Sequence, residues 1–271
     1  MNKRNIRTHL VKQLRRTAKG VTLMVSLMRR GDGDALHDIR VQVRTISSVL
    51  HPFIDMPHMK PLRRCLEPVK SWVRKSNRVR DTEAQLELIA ELLPEPYPKD
   101  VERHLAQTGK ALMQERASLA QSKSLAKLPR RVARLAKEAD DCLGRVSSAS
   151  LGKVIAQACE ALLFALRNDC AAGLQEPEHW HQARIRIKQL RYLIEWFHDF
   201  LDQRYADFAA DTKLAQENLG RLRDWQNLRA AMTEVPAMAV WLAGHAELED
   251  ELTRQASAAM AFLDQKLRGW E

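Results

Sequence analysis

The segment His37-Asp-Ile-Arg-Val-Gln-Val-Arg44 recurs 144 positions later as His181-Gln-Ala-Arg-Ile-Arg-Ile-Lys188. The correspondence continues through Ile46 and Leu190, Leu50 and Ile194, Phe53 and Phe197, and Asp55 and Asp199. A second block pairs Lys70 with Lys213, Arg78 with Arg221, and Val79-Arg80-Asp81 with Leu222-Arg223-Asp224, now at an offset of 143. Two blocks in the same order, reconciled by one single-residue gap, point to duplication, and a duplicated chain folds as two units of one kind. An amphipathic segment precedes each copy, at 5–30 and 151–171. The repeat therefore predicts two pseudo-equivalent bundles, residues 1–146 and 147–271, joined through the small polar stretch Gly144–Ser150.

The period within each copy is helical. Ile6, Leu10, Leu14, Val21, Met24, Val25 and Met28 fall on one face of a first long helix, which Gly31-Asp-Gly-Asp34 stops, with Asp34 as N-cap of the next. That second helix is expected to end at His51, before Pro52. Further helices are predicted over 58–78 (Pro61 in its first turn, Pro68 as a kink), 81–93, 99–121, 124–143, 151–171, 177–201, 203–220, 224–233 and 246–268, with Pro94-Glu-Pro-Tyr-Pro98 as a break. No stretch reads as a strand. Ten glycines, ten prolines and 6% aromatics in 271 residues are too few turn and β formers for an all-β chain. The fold class expected is all-α: two antiparallel helical bundles, with 45% hydrophobic residues to fill their cores. The longest uncharged stretch, Val235–Ala246, falls short of the ~18 apolar residues of a membrane span. The N-terminus has no apolar signal core, so a cytoplasmic protein is expected. Cys65, Cys142, Cys159 and Cys170 form no metal or redox spacing and read as small buried hydrophobes.

Charge narrows the function. The chain carries 44 basic and 34 acidic residues, net +10, unevenly placed. Residues 1–137 hold 29 basic and 13 acidic side chains, against 15 and 21 in 138–271, and the first acid is Asp32. A basic half suits a polyanion such as nucleic acid, a phosphate polymer or anionic lipid.

The repeated helices show where that charge is organised. Positions i, i+3, i+7, i+10 and i+11 share a helix face, and His181, Arg184, Lys188, Arg191 and Tyr192 occupy it. Ala183, Ile187, Leu190, Ile194, Phe197 and Leu201 lie opposite. The first copy sets His37, Arg40 and Arg44 against Ile39, Val43, Ile46, Leu50 and Phe53. Stacked like charges cost helix stability. With no acid inside either stripe, an anionic ligand is expected to supply the countercharge. Arginine forks suit phosphate, Lys188 and Lys213 act as point charges, and a histidine beside phosphate is drawn toward its charged form. Arg80-Asp81 and Arg223-Asp224 are predicted to open helices, each Asp capping its helix and orienting a phosphate-facing arginine. His179 and His181 have no partner at ligand spacing, so no metal is expected, and no phosphate loop, glycine-rich fingerprint or Ser/His/Asp signature calls for a cofactor or a catalytic role. Phosphoryl transfer wants paired carboxylates for Mg²⁺, which the stripes lack. Nucleic acid remains the alternative polyanion, although Tyr192 is the one aromatic on these faces able to stack a base. The run Lys123, Lys127, Arg130, Arg131, Arg134 and Lys137 reads as a solvated basic face.

A helix of the form His-x-x-Arg-β-x-β-Arg/Lys, repeated once and each time followed by an Arg-Asp pair, resembles the CHAD family (conserved histidine α-helical domain) over about residues 5–270. The resemblance implies two four-helix bundles around a basic central pore that binds inorganic polyphosphate, in some members at polyphosphate granules, and this chain reads as a stand-alone, non-catalytic member. The family histidines carry over to His37 and His181, and its basic residues to Arg40, Arg44, Arg184, Lys188 and Arg191. The first copy departs from the family pattern at Thr45 and Ser47, where members continue with basic residues; Lys70, Arg74 and Arg78, spaced i, i+4 and i+8, are expected to compensate. Arg80, Tyr192, Lys213, Arg221 and Arg223 complete the expected polyphosphate-binding set, with both stripes facing one cavity and the second dominant.

Overall fold

The computed structural model describes residues 5–93, 96–173 and 179–270, and among them every regular element is a helix. In chain order these are α1 (Ile6–Arg29), α2 (Ala35–Ile54), α3 (Lys60–Lys75), α4 (Asn77–Leu92), α5 (Lys99–Gln121), α6 (Lys123–Ala126), α7 (Leu128–Leu143), α8 (Ser148–Gly173), α9 (Trp180–Phe197), α10 (Gln203–Met232), α11 (Pro236–Ala243) and α12 (Ala246–Arg268). Contacts group the chain into two compact units, the first from residues 1–80, 115–160 and 191–205, the second from 81–114, 161–190 and 206–271.

In the first unit α1 packs on α7 and α2, and α3 packs on α7 and α2. Leu10, Leu14 and Val21 of α1 and Ile39, Val43, Ile46, Leu50 and Phe53 of α2 are fully buried, the i, i+3/i+4 spacing that puts one face of each helix inward. Each such side chain contributes roughly 1.5–3 kcal/mol. Phe53 meets Phe197 edge to face, with centroids 6.2 Å apart. In the second unit Ala183, Ile187 and Leu190 of α9 are buried with Leu219, Leu222 and Trp225 of α10 and Met260 and Leu263 of α12. Trp180 anchors the start of α9 by donating from Nε1 to the Gly173 carbonyl at 2.8 Å. A Cβ at position 173 would lie 2.9 Å from that indole, so the close approach requires glycine.

Several boundaries differ from the sequence expectation, each for a packing reason. α2 does not stop at His51 but runs through Pro52 to Ile54. Proline there removes one hydrogen bond of the last turn, and burial of Phe53 outweighs it. α10 is one helix where two were expected, because Gly220 weakens a helix without ending it. Arg223-Asp224 therefore lies inside α10 and Asp224 is no N-cap; Arg80-Asp81 lies in the first turns of α4, which starts at Asn77. The helix expected over 124–143 is broken at Lys127, ahead of Pro129 in the first turn of α7. α8 begins at Ser148, inside the expected connector, with Ser147 Oγ accepting from the Ser150 amide at 3.1 Å. α11 was not expected; Pro236 opens it. Pro94, Glu95 and residues 177–178 of the expected break and helix lie outside the described residues.

Among the described residues, length and composition alone would let one helix, α8, cross a membrane: its mean hydropathy reaches 1.4 over 18 residues. Scattered charges interrupt the segment, so no long uncharged run marks it. A core helix meets the same criterion, and Leu151, Ile155, Cys159, Leu163, Leu166 and Cys170 of α8 are all buried at helical spacing. The four cysteines are free, and Cys65 is half-exposed instead of buried. Burial pushes the Cys159 and Cys170 thiols up to about 12, which keeps them protonated and inert.

The turn between α1 and α2 corrects a capping assignment. Gly31 takes φ +91°, the left-handed conformation that ends α1. Asp34 makes no side-chain cap; instead the Asp32 carboxylate accepts from the Asp34 and Ala35 amides, both at 3.0 Å. Arg116 donates to the Asp32 carbonyl and pins the turn. Asp32→Ala should therefore cost about 1 kcal/mol and Asp34→Ala less than about 0.5 kcal/mol, read from urea midpoints at equal slope. A larger loss from Asp34→Ala would return the cap to Asp34.

Candidate functional site

In the second unit, burial of the Leu190 face of α9 turns His181, Arg184 and Lys188 to the other side, where Arg223 of α10 joins them. The His181 edge is exposed, yet partial burial and then the charges of Arg223, Arg184 and Lys188 hold its pKa below the ordinary 6.5. The ring is therefore neutral near pH 7, in a field that favours an incoming anion. Arg184 lies over Gly220: a Cβ there would sit 3.4 Å from Nε and 3.5 Å from Nη2. These are ordinary van der Waals distances, so the guanidinium packs directly on the α10 backbone at this glycine. Arg221, half-buried on α10, donates to Glu91 at 2.5 Å. Lys213 is exposed on the same helix. On another side of α9, Arg186 pairs with the buried Asp169 of α8, which tethers the helix that carries the stripe.

The first unit holds Arg44, Thr45, Arg191 and Tyr192 together. Burial raises the Tyr192 phenol above its usual range, opposed by the nearby Arg44 charge and by a hydrogen bond with the Thr45 side chain. Thr45 also donates to the Val41 carbonyl at 2.9 Å. The residue that breaks the basic pattern of the first copy thus positions the aromatic of the second. Arg191 pairs with Glu195 at 3.2 Å, and His37 and Arg44 are exposed on α2.

Arg40 is not on the exposed face. It is 3% exposed, and its Nη1 donates to the Val73 carbonyl at 2.9 Å, to Ser76 Oγ at 2.8 Å and to Asn77 Oδ1 at 3.0 Å. A cation on the C-terminal carbonyls of α3 suits the negative end of that helix, and the same guanidinium joins α3 to the start of α4. Sequence spacing sets Arg40 opposite the apolar stripe; what it missed is that α3 and α4 cover that position. Lys70 and Arg74 share Glu67, at 3.2 and 4.0 Å, and Arg78 pairs with Glu115 at 2.6 Å. Their charge is therefore partly answered within the protein. Arg80 sits half-buried in the first turn of α4. Among the described residues no group of three or more His, Cys, Asp or Glu could hold a metal.

The sequence pattern of the CHAD domain family matches residues 8–233. The crystal structure of the CHAD domain from the plant Ricinus communis superimposes with a TM-score of 0.73 at 21% identity, covering 96% of this chain and 91% of that one. Among curated proteins none matches the chain.

Replacing Arg40 with alanine should destabilise the fold by roughly 1.5–3 kcal/mol, since it removes a buried charged donor from the Val73 carbonyl, Ser76 and Asn77, whereas Arg44→Ala should stay within about 0.5 kcal/mol. Denaturant unfolding of both variants checks this. Equal small losses would put Arg40 back among the surface cations.

Proposed function

Because this chain belongs to the CHAD domain family, we propose that it binds inorganic polyphosphate, without catalysis, through the cations of its two repeated helices. The observation that carries this reading is the His181 cluster: a neutral imidazole among Arg184, Lys188 and Arg223, a set of phosphate donors whose mutual repulsion an anion would relieve. On this reading the two halves are copies of one helical bundle. Each contributes a stripe: His37 and Arg44 in the first, His181, Arg184, Lys188, Arg191 and Tyr192 with Arg223 in the second, with Lys213, Arg221, Lys70, Arg74, Arg78 and Arg80 adding longer-range charge. Arg40 belongs to the framework beneath the first stripe. Phosphate contacts of this kind are electrostatic, so binding needs no metal and weakens as salt rises. The protein then works in the cytoplasm, at polyphosphate-rich bodies. Nucleic acid, the other polyanion of matching charge, gains little here because Tyr192, the stacking aromatic, is half-buried and bonded to Thr45.

Removing Arg184 and Lys188 together should weaken polyphosphate binding by about two to four decades, at roughly 1.5–3 kcal/mol per charged hydrogen bond. Arg44→Ala should cost less than one such contact. Titration in low and high salt, with single-stranded DNA as competitor and EDTA as control, tests the reading. Salt-independent affinity, loss in EDTA, or DNA displacing polyphosphate at equal charge would reject it.

A second expectation follows from the lowered pKa of His181. Bound phosphate favours the imidazolium, so the pKa rises on binding and the complex takes up a proton. Affinity should increase as pH falls through the bound-state pKa and level off below the free-state value; His181→Gln should flatten that profile. For folding alone the sign is opposite: the unliganded protein loses stability as pH falls through the lowered pKa, because its neighbours resist the charged ring. An affinity that rises with pH would contradict the assignment.

A further inference from the structure

A groove of about 680 Å³ runs along α1 against α7, lined by Arg7, Lys12, Arg15, Arg16 and Lys19 of α1 and by Asp140 of α7. It continues past Arg15 and Lys19 to Lys137 of α7. None of these residues belongs to either repeated stripe. Burial of Leu10, Leu14 and Val21 fixes the rotation of α1 and leaves its cations outward in a row about 18 Å long at 1.5 Å per residue.

The groove is partly organised. Asp140 Oδ1 accepts from Arg7 Nε and Nη2 at 2.9 and 2.6 Å, and Oδ2 accepts from Arg15 at 3.1 Å. One carboxylate thus aims two guanidinium groups along the groove. Among the described residues, Lys12, Arg16, Lys19 and Lys137 have no carboxylate within 4.0 Å. Five cations of α1 face a single acid, and such a row of like charges costs helix stability unless something outside the chain answers it.

We propose that this groove is a second phosphate-chain site, taking inorganic polyphosphate through its anionic oxygens. The inference rests on the polyphosphate reading above, and adds a site to it. The groove's shape and lining choose among polyanions. The groove is concave, and Val11, the one apolar side chain that lines it, is buried, so the groove itself has nothing to insert into a bilayer. No aromatic lines it, so it offers bases no stacking platform. A thin, flexible chain with charge at every unit fits both facts. With two sites, one protein molecule can hold two chains, or two stretches of one chain at high effective concentration.

The test is calorimetric titration of the full chain with polyphosphate too short to reach two sites. It compares the wild type, the groove variant Lys12→Ala/Arg16→Ala/Lys19→Ala and the stripe variant Arg184→Ala/Lys188→Ala. The wild type should bind two chains. The groove variant should bind one, and the wild-type groove site should show the steep fall of log affinity with log salt that several cation–phosphate contacts give. The stripe variant should keep the groove site. The milder Arg16→Gln should weaken the groove site about tenfold or more; circular dichroism and thermal midpoints confirm folding. Unchanged stoichiometry and affinity in the groove variant overturn the second site and leave the stripe reading standing. Loss in the groove variant alone, with the stripe variant unaffected, keeps the groove and rejects the stripes. No binding by the wild type overturns both. If the groove variant loses oligothymidylate or phosphatidylserine vesicles but not polyphosphate, the groove serves another polyanion and the proposal fails.

Discussion

Burial of one face of α2 is the constraint on which the rest depends. Ile39, Val43, Ile46, Leu50 and Phe53 are all withdrawn from water, and five apolar side chains at helical spacing leave the helix no rotational freedom. Any other rotation would expose several of them, at roughly 1.5–3 kcal/mol each. The same burial in α9, through Ala183, Ile187 and Leu190, holds His181, Arg184 and Lys188 where they are. The candidate site is thus a consequence of the core. Its cations do not choose their positions; they take the faces that the apolar residues leave over.

Those leftover faces carry an electrostatic cost, and the chain handles it in three ways. Some cations are turned inward and given carbonyls, as Arg40 is at the end of α3. Others meet acids from their own unit: Glu67 between Lys70 and Arg74, Glu115 at Arg78, Glu91 at Arg221. These pairs are exposed and contribute little stability, but they lower the local potential. The third way is protonation: His181 stays neutral because Arg223, Arg184 and Lys188 are already charged. A neutral ring that can accept a proton makes the cluster responsive to an arriving anion, which a fourth fixed cation would not be.

Hydroxyls and a glycine refine this arrangement. Thr45 interrupts the basic pattern of the first copy, and in the fold its side chain is a partner for Tyr192. Gly220 interrupts the helical pattern of α10, and in the fold the Arg184 guanidinium packs beside it. Both departures from a simple pattern make sense only across a helix–helix contact, where the residue on the facing helix decides what each position must be.

Local periodicity is written in any dozen consecutive residues, so the helical class, the inward faces of α2 and α9 and the helices α5 and α12 were all legible before any tertiary structure was known. The basic stripes were legible for the same reason, as the complement of the apolar ones. What depended on distant residues was not. Whether Arg40 meets water or the end of α3 is decided by residues 33 to 37 positions away. Whether α2 survives Pro52 is decided by the burial of Phe53 against Phe197, and whether Gly220 ends a helix by the helices packed around α10. Asp34 is the cap that local pattern suggests, and the backbone of one turn selects Asp32 instead. Helical periodicity belongs to a single segment, so it can be read from that segment. Partner choice belongs to a pair of segments, and only the packed chain brings the pair together.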